Sequence, residues 1–233
     1  MAIYEQVLHA TVGLFHANKT VTRSQFRTFV DALRLSESYP GIQGIGFSVL
    51  LRPSALGRHI SAVRAEGFPD YTVWPAGQRD VYTAIVYLEP FAGKNLRAFG
   101  FDMYSEPVRH AAMAQALRTG KAALTSKVIL VQENGSDVQM GFLMYLPVYD
   151  EIALQKPGTQ RIDNLIGWVY APFRMNDFMR GINDIQQDDL DIAVYDGPEA
   201  KREALMFDSG TRTDAPLCKA QISSKWATMS GPW

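Results

Sequence analysis

Apolar residues recur at helical spacing in the first forty positions of the chain. The first set predicts an amphipathic helix over about residues 1–18. A capping box at 22–25, followed by an apolar face at 26–33, predicts a second helix. The short heptad seam of the first helix indicates either a partner helix or packing on the chain's own core. The seam consists of Ile3, Val7, Ala10 and Leu14.

The middle of the chain is rich in β-type apolar runs. Helices are predicted at 53–66, 107–119 and 176–182. Because the strands follow one another through turns, with a hairpin signal at 134–137, the pattern predicts an α+β fold with a mostly antiparallel sheet. Its strands are predicted at 42–51, 81–88, 122–133, 138–149 and 165–173.

A polar segment at 151–164, containing Pro157-Gly158, predicts a linker or long loop. Short β-type runs at 191–195, 204–208 and 219–222 follow it and predict a small second sheet docked on the first. The predicted organisation is therefore a helical region at 1–38, a first module at 39–150 and a second module at 151–233.

One carboxylate stands out in the apolar stretch at 96–107. The stretch predicts a short strand that runs into a helix, with Ser105 as the N-cap and Pro107 in the first turn. Asp102 lies among aromatic and apolar neighbours, where an ionised carboxylate is costly unless it is bonded. Two interpretations remain open: a carboxylate satisfied by nearby backbone amides, or a pocket carboxylate that accepts a hydrogen bond from a ligand N–H.

Composition removes several classes of function. The net charge of −1, without a basic block, argues against a nucleic-acid partner. A single cysteine, Cys218, excludes an internal disulfide, and the four histidines follow no metal-binding spacing. An enzyme such as a small carboxylate-dependent hydrolase or lyase is the alternative to a binding module. Its nearest acid and imidazole pair is Asp102 with His110, and no serine elbow accompanies the pair.

A series of short motifs in fixed order resembles the CHASE domain, the extracytoplasmic sensor of bacterial and plant receptors, including the plant cytokinin-receptor histidine kinases. The motifs span roughly residues 39–150. They are YPGI at 39–42, GIGF at 44–47, EGF at 66–68, VWP at 73–75, YLEP at 87–90, Asn95, GFD at 100–102, TGKAALTS at 119–126 and GFLMYLPVY at 141–149.

The resemblance implies a long N-terminal stalk helix followed by two PAS-like modules. The membrane-distal module, 39–150, would bind a small ligand, and 151–233 would be membrane-proximal. It also implies a non-catalytic periplasmic or extracellular domain without a cofactor, flanked by transmembrane helices. The implied cytoplasmic output is a histidine kinase or a cyclic-di-GMP enzyme, and a homodimer could form through the N-terminal helix.

The resemblance also implies site residues for an adenine-like ligand. Asp102 occupies the place of the aspartate that binds adenine, and the backbone of Leu124 would meet the ring. Tyr145 stands where those receptors have a threonine, and Gln132 lies near the position of a second threonine that bonds the ligand side chain. Aromatic residues would pack on the flat face, although each could equally serve the core. These residues are Phe47, Trp74, Phe101 and Tyr145.

Overall fold

The computed structural model describes residues 1–133, 138–150, 161–183 and 192–210. The helices are α1 (Ala2–Ala17), α2 (Arg23–Ala32), α3 (Leu35–Ser38), α4 (Pro53–Ala65), α5 (Pro107–Thr119) and α6 (Met175–Asn183). The strands are β1 (Ile45–Leu51), β2 (Tyr82–Glu89), β3 (Ala123–Leu124), β4 (Val128–Ile129), β5 (Met140–Tyr149), β6 (Leu165–Arg174), β7 (Ala193–Tyr195) and β8 (Leu205–Asp208).

The main sheet is antiparallel throughout, in the order β2-β1-β6-β5-β3, with β4 also paired to β5. This confirms the predicted α+β class with an antiparallel sheet. Successive side chains of a strand point to opposite faces. On β5, Met144 therefore joins one apolar core, and Leu143 and Tyr145 join the other. The sheet thus has two buried faces.

Helix α1 lies on the first face of the sheet. Its Val7 and Leu8 are buried, and the Tyr4 ring meets Phe173 of β6 edge-on at 5.2 Å. Ile3, by contrast, is 56% exposed. The predicted helix is confirmed, but the seam is corrected, because the buried stripe is shifted around the helix from the heptad positions. The buried residues are Tyr4, Val7, Leu8, Thr11 and Val12, whereas Ile3 and Ala10 face outward.

The short strand predicted within the stretch 96–107 is replaced by a 3₁₀ helix, Gly93–Ala98, followed by isolated bridges at Phe101 and Asp102. Gly100 explains this path, because its φ of +78° is left-handed and a Cβ there would lie 2.1 Å from the carbonyl oxygen of Thr72. The cap of α5 is also corrected. Glu106, rather than Ser105, accepts hydrogen bonds from the first amides of the helix.

The predicted strand at 122–133 is reduced to β3 and β4. The chain leaves the sheet between them, where the Lys127 amide donates to Asp196 at 2.8 Å. This bond ties the main sheet to the small sheet formed by β7 and β8. Ile192 and Phe207 also pack against the first core, as predicted for a docked second sheet. The predicted hairpin turn at 134–137, the linker at 151–160 and the strand at 219–222 lie outside the described residues.

Strand β6 belongs to the main sheet, where it pairs with β1 on one side and β5 on the other. This strand lies within the second module predicted from the sequence at 151–233. The correction has a physical reason: β6 is apolar along almost its whole length, as expected for a strand buried on both faces. A second PAS-like module within 151–233 stays a prediction.

Candidate ligand-binding site

A cavity lies on the second face of the sheet, between the central strands, helix α5 and the segment 130–132. Helix α5 is held against the sheet by the Trp168 indole, which donates to the Met113 carbonyl oxygen at 3.1 Å. The empty space between its walls is about 220 Å³ when the part open to solvent is counted, and only a water-sized part of it is clear of the surrounding atoms. Its walls are Ile85, Ala98, Phe101, Met103, Arg109, Leu130, Val131, Gln132, Leu143 and Tyr170.

The Tyr170 hydroxyl is the least satisfied polar group of this cavity. The side chain is 1% exposed, and its oxygen has no hydrogen-bond partner among the described residues. Gly46 on the neighbouring strand makes room for the ring, since a Cβ there would lie 2.3 Å from Tyr170 Cζ. Burial raises the pKa of the Tyr170 hydroxyl well above its usual value. The hydroxyl therefore stays protonated and can donate a hydrogen bond.

Tyr170→Phe is expected to raise the free energy of unfolding by about 1 kcal/mol. A buried hydroxyl without a partner costs about 1–3 kcal/mol, and phenylalanine removes it while keeping the ring. Urea unfolding followed by circular dichroism measures the change. Tyr145→Phe is the matched control: the Tyr145 hydroxyl contacts Met103 Sδ at 3.2 Å, so no gain is expected. A loss of stability in Tyr170→Phe would show that the hydroxyl has a partner in solution.

Arg109 brings a buried cation to the cavity wall. The residue is 5% exposed, and its guanidinium donates to Glu106 Oε2 at 2.8 Å and to the Ile129 carbonyl oxygen at 2.9 Å. Burial alone raises the pKa of Glu106, but two backbone amides and the Arg109 charge outweigh it, so the net shift is downward. Glu106 therefore stays ionised and balances the Arg109 charge.

Gln132 adds a third polar group. It is 6% exposed and lines the cavity beside Leu130 and Val131. The remaining walls are apolar. In the conformation described, the free volume suits about one water molecule.

Asp102 is buried but turned away from this cavity. Its Oδ1 accepts hydrogen bonds from the Thr83 amide at 2.8 Å, the Thr83 hydroxyl at 3.0 Å and the Tyr104 amide at 3.2 Å. Its Oδ2 lies 3.4 Å from Arg79 Nε, near enough for an ion pair although not aligned as a hydrogen bond. These contacts fit the first of the two interpretations, a carboxylate satisfied by nearby backbone amides, and a contact between Asp102 and a ligand stays a prediction.

The other predicted site residues divide between the two faces of the sheet. Phe101 and Gln132 line the cavity. Tyr145 and Trp74 stand behind the wall, with ring centroids 6.0 Å from Tyr170 and 4.8 Å from Phe101, respectively. Leu124 and Phe47 pack in the first core, on the opposite face.

Arg109 and Tyr170 were not predicted as site residues. Arg109 could have been found, because it begins the buried stripe of α5, which continues at Ala112, Met113 and Ala116. An arginine on an apolar helical stripe signals a buried cation with a specific partner. Tyr170 carries no such local signal.

The pair considered for catalysis does not come together as an acid–imidazole dyad. His110 stacks on Tyr104 at 4.1 Å, whereas Asp102 is bonded to Thr83. Within the described part of the chain, no group of three or more histidine, cysteine, aspartate or glutamate side chains is arranged to hold a metal ion. The helices described include none long and apolar enough to cross a membrane.

The described part of the chain is thus an antiparallel α+β domain with a small cavity beside its central strands, apolar except for Arg109, Gln132 and Tyr170. The sequence matches the CHASE domain model over residues 19–207, so the chain belongs to the CHASE domain family. Domains of this family are extracytoplasmic, non-enzymatic sensors of signal-transducing receptors. No curated protein matches the chain.

Three solved structures show partial likeness to the chain. An extracellular ligand-binding receptor from Desulfohalobium retbaense matches with a TM-score of 0.49 and 14% identity, over 88% of this chain and 29% of that one. The ligand-binding domain of the Pseudomonas aeruginosa amino acid chemoreceptor PctC, in complex with GABA, matches with a TM-score of 0.43 and 10% identity, over 82% of this chain and 63% of that one. A protein described as Methyl-accepting Chemotaxis protein X matches with a TM-score of 0.41 and 15% identity, over 84% of this chain and 64% of that one. The chain thus spans less than two thirds of each of these structures.

Proposed function

We propose that this domain senses a small molecule bound in the cavity between the sheet and α5. The observation that carries the proposal is the Tyr170 hydroxyl, which is buried at the cavity wall without a partner among the described residues. Leaving such a group unpaired is costly, and a bound ligand would remove the cost. Gln132 offers a further donor and acceptor on the same wall.

An adenine-like heterocycle is the first ligand class to test, on the strength of the family resemblance. Its recognition edge places an N–H donor beside a ring nitrogen acceptor. The Gln132 amide, with its own donor and acceptor side by side, complements such an edge. Because Asp102 is bonded to Thr83, Gln132 would make the hydrogen bonds to the recognition edge of the heterocycle.

The receptor context is also proposed from the family. The domain would be carried by flanking transmembrane helices and would control a cytoplasmic histidine kinase or cyclic-di-GMP enzyme. A homodimer through α1 would use the outward face that includes Ile3 and Ala10, since Val7 is buried on the chain's own sheet. Light scattering that shows a monomer at high protein concentration would contradict this dimer.

Filling the cavity is expected to abolish ligand binding. Ala98 lies in the wall and is 1% exposed, so Ala98→Leu places three additional carbons where the ligand would lie. A thermal-shift screen of adenine, amino acids and small organic acids identifies ligands of the 233-residue chain, and calorimetry then compares the variants. The matched control is Ala62→Leu on the exposed face of α4, which should bind normally. Equal binding by Ala98→Leu and the parent would place the ligand elsewhere.

A further inference from the structure

We infer that the ligand of this cavity carries a carboxylate or similar anionic acceptor on a small apolar body. The inference rests on the proposed ligand-binding function of this cavity, but it favours a compact acid over the adenine-like class. Arg109 is the charged residue of the described cavity wall, and no aspartate or glutamate lies among the described lining residues. A cationic ligand would meet the Arg109 guanidinium there and no carboxylate of the described wall, which is unfavourable at low dielectric.

The placement of Glu106 leaves the Arg109 charge available on the cavity side. Glu106 does not line the cavity, and its side chain is 30% exposed, against 6% for Arg109. Water therefore screens the carboxylate more than the guanidinium. Arginine carries five N–H donors, of which two are bonded to Glu106 and the Ile129 carbonyl oxygen within the described chain.

Two neutral groups of the cavity wall also favour an anionic ligand. The Tyr170 hydroxyl stays protonated and has no described acceptor, and the Gln132 amide can present its N–H₂ group. Hydrogen bonds from these donors and from a guanidinium to an ionised carboxylate are charge-assisted, and therefore stronger than bonds between neutral groups.

The apolar walls define the rest of the ligand. Ile85, Leu143 and Phe101 contribute aliphatic and aromatic surface around the polar groups. Apolar walls with a few placed donors suit a compact organic acid, whose body is buried while its acid group fixes the orientation. The limited free volume also favours a compact ligand over an extended one.

Two series of equal shape and different charge test the inference: acetate, acetamide and acetamidine, and benzoate, benzamide and benzamidine. Calorimetry with the 233-residue chain measures their affinity, with adenine alongside. In at least one series, the acid should bind at least about tenfold more tightly than its amide, and the amidine should not bind. Tighter binding of an amide, an amidine or adenine, or no binding of either acid, would overturn the inference.

Variants connect the binding to the named donors. Tyr170→Phe should weaken binding of the acid by roughly fivefold or more, and Arg109→Gln by more than about tenfold. Arg118→Gln, at the exposed end of the same helix, is the matched control and should leave the affinity unchanged. Since Arg109 also bonds Ile129, Arg109→Gln could lose its fold, and Tyr170→Phe then decides the question. Unchanged acid affinity in Tyr170→Phe would overturn the inference.

Ala98→Leu separates the two proposals. If adenine or another neutral compound binds the parent and is lost in Ala98→Leu, the cavity is a ligand site and the inference about acids falls alone. If every compound that binds the parent also binds Ala98→Leu, the proposed function falls with it.

Discussion

Asp102→Ala is expected to lower the free energy of unfolding by about 3–5 kcal/mol. The carboxylate is fully buried and accepts three hydrogen bonds, two from Thr83 and one from the Tyr104 amide. Alanine would leave these donors without their acceptor and would leave the Arg79 guanidinium, 3.4 Å away, without its counter-charge. Losing one partner of a buried charged network is among the most destabilising single changes a protein can undergo.

Urea unfolding of three variants measures this effect. Asp102→Asn keeps an oxygen for Thr83 but presents an N–H₂ group to Arg79, so its loss should be intermediate. Asp80→Ala removes an exposed carboxylate from the same region and should change stability by less than about 0.5 kcal/mol. An Asp102→Ala variant as stable as the parent would show that this bonded network does not support the fold.

The sequence alone could not show which way the Asp102 side chain points, because successive side chains of an extended segment alternate between two faces. Phe101 and Met103 both line the cavity, whereas Asp102 between them caps the 3₁₀ turn Met103–Ser105 and bonds Thr83. Sequence shows the alternation but not which parity faces the ligand. A shift of one residue in this alternation decides whether the side chain contacts a ligand or is bonded inside the protein.

The burial of Arg109 could not be predicted for a similar reason, because the sequence does not fix which face of helix α5 packs on the sheet. Where polar and apolar residues contrast strongly, as after the capping box at Thr22, the predicted helix and its buried face agree with the structure. Helix α5 is rich in alanine, so its faces differ little in polarity. Ala111 is exposed on this helix, whereas Arg109, two positions earlier, is buried. Small uniform side chains carry too little contrast to fix the rotation of a helix.

The placement of β6 depends on contacts between distant parts of the chain. Tyr170 of this strand lies beside Gly46 of β1 and Tyr145 of β5 in the sheet. The local sequence predicts a strand at 165–173 correctly but carries no signal for its neighbours. A polar segment before the strand suggested a boundary, whereas sheet pairing is decided by which apolar faces can be buried together.

A buried carboxylate attaches the cavity wall to the sheet. Glu133 directly follows Gln132, and its side chain is 1% exposed. Its Oε1 lies 2.9 Å from Arg174 Nε at the end of β6, and its Oε2 accepts a hydrogen bond from the Gln139 amide at 3.2 Å. This carboxylate therefore joins the segment that carries Gln132 to the central strands of the sheet.

Glu133→Ala is expected to lower the free energy of unfolding by about 1–3 kcal/mol, because it removes a buried carboxylate that lies 2.9 Å from Arg174 Nε and accepts a hydrogen bond from the Gln139 amide. Urea unfolding measures the loss. The matched control is Glu37→Ala, which breaks an exposed pair with Arg34 and should cost less than about 1 kcal/mol. Ligand affinity should also fall in Glu133→Ala, since Gln132 loses its neighbouring anchor. If Glu133→Ala kept both the stability and the affinity of the parent, the buried pair would neither support the fold nor hold the cavity wall.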